Sequence, residues 1–122
     1  MLSCGQIVLD FITETPCVVL KIKPLQRRVT VLSLESLTPF DRDISELRPW
    51  DPPPGGGCGG IIPPIEQLSE DDVDGLLSLL ERHSSLSNPR EVEYRTNNEQ
   101  IALIKITKLH EALMPQRVLA FV

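Results

Sequence analysis

The first third of the chain contains three apolar segments separated by prolines, and this pattern constrains the fold more than any other feature. Residues 7–12 carry apolar side chains on both faces, as expected of a strand covered on both sides. Residues 17–23 have one more polar face, which carries two lysines. In residues 28–35 the alternation of apolar and polar side chains is interrupted between Val31 and Leu32, which suggests a bulge or burial on both faces. Because the connections are short, the sequence predicts a three-stranded antiparallel meander.

The composition favours strands over a helical bundle. The chain has 122 residues, and its 10 Ile and 9 Val stand against only 3 Ala. Apolar types make up 41% of the sequence, which is enough for the core of one domain and excludes wholesale disorder. The formal net charge of −5 argues against a strongly basic, polyanion-binding protein.

A proline- and glycine-rich segment follows the predicted meander. Its centre, residues 52–60, reads Pro-Pro-Pro-Gly-Gly-Gly-Cys-Gly-Gly. Proline triplets hold a polyproline II conformation and glycine runs are flexible, so no regular element is expected there. We interpret residues 48–64 as a flexible Pro/Gly-rich linker or loop within a single α+β domain, residues 1–122.

One principal amphipathic helix is expected after this segment. Ser69 is a good N-cap, and the three carboxylates that follow it lie at the positive end of the helix dipole. Apolar residues then recur with helical spacing, at Val73, Leu76, Leu77 and Leu80. The helix should end near His83, where serines and Asn88-Pro89 begin.

The last third of the sequence again has a pattern typical of strands. Residues 91–96 alternate between apolar and polar side chains, Asn97-Asn98 suits a tight turn, and residues 101–107 are interpreted as the return strand. A short helical turn is expected over residues 109–114 and a final strand over residues 117–122. The predicted fold class is therefore α+β, with a mainly antiparallel sheet.

The cysteines and the N-terminus indicate an intracellular protein, cytoplasmic or nuclear and of cellular or viral origin. Cys4, Cys17 and Cys58 are odd in number and lack CxxC spacing, whereas small secreted domains usually carry dense, even sets. The apolar N-terminus lacks the features of a signal peptide, and Asp10 interrupts it far short of the length needed to span a membrane.

Catalytic and metal-binding motifs are scarce. The acidic residues around Asp72 are explained by the helix dipole, so no metal and no cofactor are predicted. The sequence contains no Gly-x-Ser-x-Gly, no phosphate-binding loop and no HExxH. A small cysteine-dependent enzyme stays open as an alternative, with Cys17 or Cys58 as nucleophile and His110 as a possible base for Cys17.

A second alternative is a nucleic-acid-binding module resembling a β-barrel. Lys21, Lys23, Arg27 and Arg28 concentrate positive charge on two strands and the turn between them. Such residues could meet phosphates along a sheet face. The aromatic side chains that would stack on bases are missing between Phe11 and Phe40.

The leading hypothesis is a non-enzymatic protein-protein interaction protein, that is, an adaptor, an accessory factor or a small subunit of a larger complex. One helix covers only part of a sheet, so apolar sheet surface should be left for a protein partner or a second copy of the chain. Trp50, beside the proline run, is a possible anchor. The predicted contact residues are Ile7, Leu9, Phe11, Trp50, Leu119 and Phe121.

Overall fold

The computed structural model describes residues 2–50 and 68–113, which form an antiparallel sheet and two helices. The strands are β1 (Ile7–Asp10), β2 (Thr15–Lys23), β3 (Arg28–Ser33), β4 (Pro39–Asp43) and β5 (Leu47–Pro49), and the helices are α1 (Glu70–Arg82) and α2 (Asn97–Leu113). Short 3₁₀ turns lie at Pro24–Gln26, Ile44–Glu46 and Pro89–Glu91. The order across the sheet is β4-β3-β2-β1-β5, with every pair antiparallel. The predicted α+β class with an antiparallel sheet is confirmed.

The sheet is rolled rather than flat. In the strand order β4 lies three steps from β1, which corresponds to about 14 Å in a flat sheet. Yet the Arg42 side chain on β4 bonds directly to Asp10 on β1. The concave face therefore encloses its own apolar cluster, which consists of Val8, Cys17, Val19, Val29, Val31 and Leu47, with Leu2, Ile22, Phe40 and Ile44 at its margin.

A β-bulge in β2 sorts the side chains between the two faces. Val19 pairs with Val31, but the next pair is Lys21 with Thr30, so Leu20 is the extra residue. After this bulge Ile22 points into the enclosed cluster and Lys21 is exposed. On β3 the change between Val31 and Leu32 reflects burial on both faces, because Val29 and Val31 lie in the enclosed cluster and Leu32 and Leu34 lie in the core beneath the helices.

The convex face of the sheet is covered by both helices. Side chains of the two layers form one core cluster, which includes Ile7, Val18, Leu20, Leu32 and Leu34 from the sheet side and Val73, Leu76, Leu79, Ala102, Leu103 and Ile106 from the helices. Helix α1 starts as predicted, because the Ser69 hydroxyl accepts the Asp72 amide and the Asp72 carboxylate accepts the Ser69 amide.

The predicted C-terminal hairpin is wrong, since residues 97–113 form α2. The amide of Glu99 donates to the Thr96 hydroxyl at 3.1 Å, which caps the first turn of a helix. Ala102, Leu103 and Ile106 are buried at helical spacing. The isoleucines of this segment have strand propensity, but burial of one helical face against α1 outweighs it. The expectation of a single principal helix is therefore also wrong, because α2 is a second one.

The structure also corrects the start of the predicted linker. Arg48 and Pro49 belong to β5, and β4, which precedes the predicted linker, is a strand that the sequence pattern does not predict. These strands have only three and five residues, and Pro39 and Pro49 are tolerated in them because β4 and β5 form the two sheet edges. Residues 51–64 of the predicted linker and the predicted final strand, residues 117–122, lie outside the described residues.

Two ion pairs hold α1 and α2 together, one near each end. Lys105 of α2 donates to the Asp72 carboxylate at 2.7 Å, and Arg82 of α1 bonds to Glu99. Each carboxylate also caps the N-terminus of its own helix. Between them the helices approach closely at Gly75, where an added Cβ would lie 2.6 Å from the Asn98 carbonyl oxygen. Neither helix is long and apolar enough to cross a bilayer, and the described ranges contain no other α-helix.

The premise that sheet surface is left uncovered is wrong for the described part of the chain. The convex face packs under α1 and α2, and rolling buries the concave face. A partner is therefore not needed to shield the sheet, so any interaction site must be sought among the side chains that remain exposed.

Candidate functional site

Two adjacent apolar side chains project from the turn that joins β1 to β2. Phe11 is 60% exposed and Ile12 is 58% exposed. Isolated exposed apolar residues are ordinary, but a neighbouring pair at a turn produces a contiguous apolar protrusion. It is located where the chain leaves one buried strand and enters the next.

Asp10 fixes the conformation of this turn. Its carboxylate accepts the Ile12 amide at 3.3 Å and the Thr13 hydroxyl. The Phe11 amide donates outside the turn, to the Glu46 carbonyl at 2.9 Å. Side-chain and backbone bonds thus hold both apolar residues in place, so little conformational entropy is lost when they contact another surface.

The Asp10 carboxylate is itself fully buried and held by Arg42. The guanidinium donates through Nε to Oδ1 at 3.0 Å and through Nη2 to Oδ2 at 3.3 Å. It lies 4.4 Å from the centroid of the Phe40 ring. Burial acts to raise the pKa of Asp10, but hydrogen bonds from Arg42 and Thr13 outweigh it and lower the pKa, so the carboxylate stays charged.

Arg48 lies beside the apolar pair. Its guanidinium carbon is 5.2 Å from the centroid of the Phe11 ring, within cation–π range. Its Nη1 donates to the carbonyls of Ser45 and Leu47, which fixes the side chain over the ring. We call Phe11, Ile12 and Arg48 the turn surface.

The outer edge of β4 offers few backbone donors to an added strand. Residues 38 and 44 bond toward β3, so the backbone groups of residues 39, 41 and 43 point outward. Pro39 has no N–H, and the Asp43 amide donates to Glu46 Oε1 at 2.9 Å. Of these three residues, only Asp41 has a backbone amide that could donate to an added strand, so this edge is poorly suited to pair with a strand of another molecule.

The outer edge of β5 is similarly occupied. The Glu46 carbonyl bonds toward β1, so residues 47 and 49 point outward. The Leu47 amide donates to the Ile44 carbonyl, and Pro49 has no N–H. In the described part of the molecule, exposed side chains rather than open strand edges are therefore available for contact.

The residues predicted from sequence as partner contacts are placed differently from one another. Phe11 is exposed, Leu9 is half-buried, and Ile7 is a core residue with 9% exposure. Trp50 is half-buried and packs against the core shared by the sheet and helices, with its Nε1 buried and without a partner in the described residues. Leu119 and Phe121 lie outside the described residues. The structure thus brings Phe11 together with Arg48, and leaves Ile7 unavailable.

The basic residues of the β2–β3 region alternate with carboxylates. Asp41 bonds to Lys23 at 3.4 Å, and hydrogen bonding by Thr30 and Lys23 and the charges of Lys23 and Arg28 lower its pKa. Asp43 pairs across the sheet with Arg28. The potential that phosphates would sense on this face is therefore reduced. Arg27, in the turn, has an exposed side chain and a left-handed backbone, with φ of 55°.

Cys17 is not poised as a nucleophile. It lies in the enclosed cluster of the rolled sheet, and burial, followed by the nearby Asp10 charge, raises the pKa of its thiol to about 12. His110 is at the helix layer, where its Nδ1 contacts the Leu34 carbonyl. Cys58 lies outside the described residues.

One further place could hold a ligand, and it is not organised for it. An open polar cleft of about 370 Å³ at the end of α1 is lined by serines, His83 and Arg82, but the Arg82 guanidinium already bonds to Glu99. No three His, Cys, Asp or Glu side chains of the described ranges are grouped to hold a metal ion.

Sequence reasoning missed Ile12 and Arg48 as members of the turn surface. The sequence predicts a strand that continues to residue 12, whereas β1 ends at Asp10. The Asp-x-x-Thr pattern of residues 10–13 is a recognisable turn signal that separates the apolar pair from the strand. Arg48 has no comparable signal, because its position over Phe11 depends on the pairing of β5 with β1.

No protein-family model, no curated protein and no solved structure matches this chain.

Proposed function

We propose that this chain is a non-enzymatic protein-protein interaction module, an adaptor or a subunit of a larger complex, and that it binds its partner through the turn surface. The observation that supports this proposal is the exposure of Phe11 and Ile12 on a turn braced by the buried Asp10 and its partly exposed partner Arg42. A rigid apolar protrusion beside an arginine has the composition of an interface hot spot.

The alternatives have less physical support. A phosphate-binding sheet face would require a net positive potential, but acidic residues on β4 are interleaved with Lys23 and Arg28. A cysteine enzyme using Cys17 would require a thiolate, and the raised pKa of this thiol opposes its formation near neutral pH.

An affinity-capture experiment with the full chain tests the proposal. The wild type, the double variant Phe11→Ser/Ile12→Ser and the control Ile104→Gln are compared as baits, and retained proteins are quantified by mass spectrometry. Ile104 is a matched control because it is 47% exposed on α2, in the other layer. We expect at least one protein whose recovery falls about tenfold or more in the double variant and is unchanged in the control.

Light scattering on the same three proteins tests a second copy of the chain as the partner. A dimer that dissociates only in the Phe11→Ser/Ile12→Ser variant would identify the partner as the chain itself. If the three baits retain the same proteins and all three behave as monomers, the turn surface is not an interaction site.

A further inference from the structure

Arg48 is held in place by groups other than carboxylates, unlike the four cationic side chains of the described residues that form ion pairs. Arg42, Arg82, Lys23 and Lys105 each form an ion pair with a carboxylate. The described contacts of Arg48 are the Phe11 ring and two backbone carbonyls, both through Nη1. Its Nε and Nη2 donors are therefore not used by any carboxylate of the described residues.

The position of this guanidinium is fixed before any partner arrives. Two carbonyls hold Nη1, and the ring of Phe11 supports the guanidinium group. A guanidinium that is already oriented loses little entropy when it forms a charge-assisted bond, and carboxylate is the side-chain group that fits its planar donors. The exposed Phe11 ring lies against this guanidinium, and the exposed Ile12 is the next residue of the same turn.

We propose that the turn surface receives an acidic linear segment of another protein, in which an Asp or Glu stands close in sequence to a large apolar side chain. The carboxylate bonds to Arg48 and the apolar side chain packs on Phe11 and Ile12. The inference rests on the proposed function and specifies the chemistry of the partner. Although the whole chain carries a net charge of −5, the cation of this surface selects an acidic partner.

Peptide display provides the test. A random dodecapeptide library is selected on the immobilised full chain, and enriched peptides are then measured by fluorescence polarisation. We expect enrichment of Asp or Glu within a few residues of Leu, Ile, Phe or Trp. The substitution Arg48→Glu should weaken binding about tenfold or more, whereas Lys108→Glu, an exposed charge reversal on α2, should leave it unchanged.

A double-mutant comparison makes the assignment specific and does not depend on one variant folding well. Replacing the acidic residue of an enriched peptide by its amide should weaken binding to the wild type, but should cause little further loss in the Arg48→Glu variant. Enrichment without acidic residues, equal effects of Arg48→Glu and Lys108→Glu, a second copy of this chain as the occupant, or no enrichment at all overturns the inference.

Failure of this inference is distinguishable from failure of the proposed function. If enriched peptides lack acidic residues but lose binding in the Phe11→Ser/Ile12→Ser variant, the interaction site stands and only the partner chemistry is wrong. If that double variant binds as well as the wild type, the turn surface itself is wrong.

Discussion

At the scale of single residues, Asp10 connects the interior of the rolled sheet to the exposed turn. One carboxylate oxygen accepts the Ile12 amide, and both oxygens are held by Arg42. A charge that is removed from water in this way is stable only while its partners remain in place. The pair therefore determines both local stability and the orientation of Phe11 and Ile12.

The substitution Arg42→Met tests this role. It keeps an apolar side chain near Phe40 but leaves the buried Asp10 carboxylate without its cation, so we expect a loss of about 3 kcal/mol in the free energy of unfolding. Urea denaturation followed by circular dichroism measures the change. Arg28→Met, an exposed arginine on β3, is the control and should change stability by less than about 0.5 kcal/mol.

The double variant Asp10→Asn/Arg42→Met should recover part of the stability lost in Arg42→Met, because it removes the unpaired charge. A loss below about 1 kcal/mol in Arg42→Met, or no recovery in the double variant, would show that the ion pair has little part in holding the turn.

At the scale of secondary-structure elements, the helix pair shows how close packing can reverse an intrinsic preference. Glycine in the middle of a helix normally costs about 1 kcal/mol relative to alanine. Gly75, however, faces the backbone of α2, and a methyl group there would lie 2.6 Å from the Asn98 carbonyl oxygen and 3.0 Å from the Ala102 Cβ. This glycine permits the contact between α1 and α2.

We therefore expect Gly75→Ala to destabilise the protein by about 1–2 kcal/mol, although the substitution raises helix propensity. Thermal or urea denaturation measures the effect. Ser78→Ala on the same helix is the matched control, and we expect it to be neutral or slightly stabilising because Ser78 is half-exposed. A stabilising Gly75→Ala would mean that the helices can separate without cost.

The elements differ in how well the sequence predicts them, for identifiable reasons. The capping residue and the helical spacing of α1 are local signals, so Ser69 predicts its start, and Val73 and Leu76 are buried as expected. The rest of the buried face differs, because Leu79 is buried whereas Leu77 and Leu80 are half-buried. In α2 the local signals conflict, because the β-branched Ile101, Ile104 and Ile106 favour a strand. The buried residues Ala102, Leu103 and Ile106 instead have the spacing of a helix. The contact with α1 decides between them, and it lies far away in sequence.

The candidate site was predictable only in part. Phe11 is predicted as a contact because it belongs to an apolar strand expected to be left partly uncovered. The structure exposes it for a different reason, its place in the turn after β1. The brace under it joins residues 10 and 42 and depends on the rolling of the sheet. The arginine beside it comes from residue 48 and depends on the pairing of β5 with β1. No local pattern records such long-range pairings.

At the scale of the whole molecule, buried or partly buried carboxylates support both layers. Asp10 lies under the turn, and Asp72 and Glu99 join the two helices. The pKa of Asp72 is lowered because bonds from Lys105 and Ser69 outweigh the effect of burial, and Arg82 lowers that of Glu99. All three carboxylates thus favour the charged form in the folded protein.

Stability should accordingly fall in acid. Because the pKa values of Asp10, Asp72 and Glu99 are lower in the folded state, their contribution is present in full above the ordinary carboxyl range near pH 4 and is lost as the pH falls through the lowered values. Urea denaturation between pH 7 and pH 3 should show a decreasing free energy of unfolding. The Asp72→Asn variant should lose less stability than the wild type over this pH interval. The same pH dependence of the free energy of unfolding in both proteins would contradict the role assigned to Asp72.

The occupied edges of β4 and β5 have a consequence for stoichiometry. A strand edge with free amides can pair with the same edge of another molecule, and repeated pairing of this kind produces aggregates of unlimited size. Here Pro39 and Pro49 cannot donate, and the amides of Asp43 and Leu47 already have acceptors within their own chain. Binding through the proposed turn surface would instead saturate after one partner, and the resulting complex would have a fixed composition.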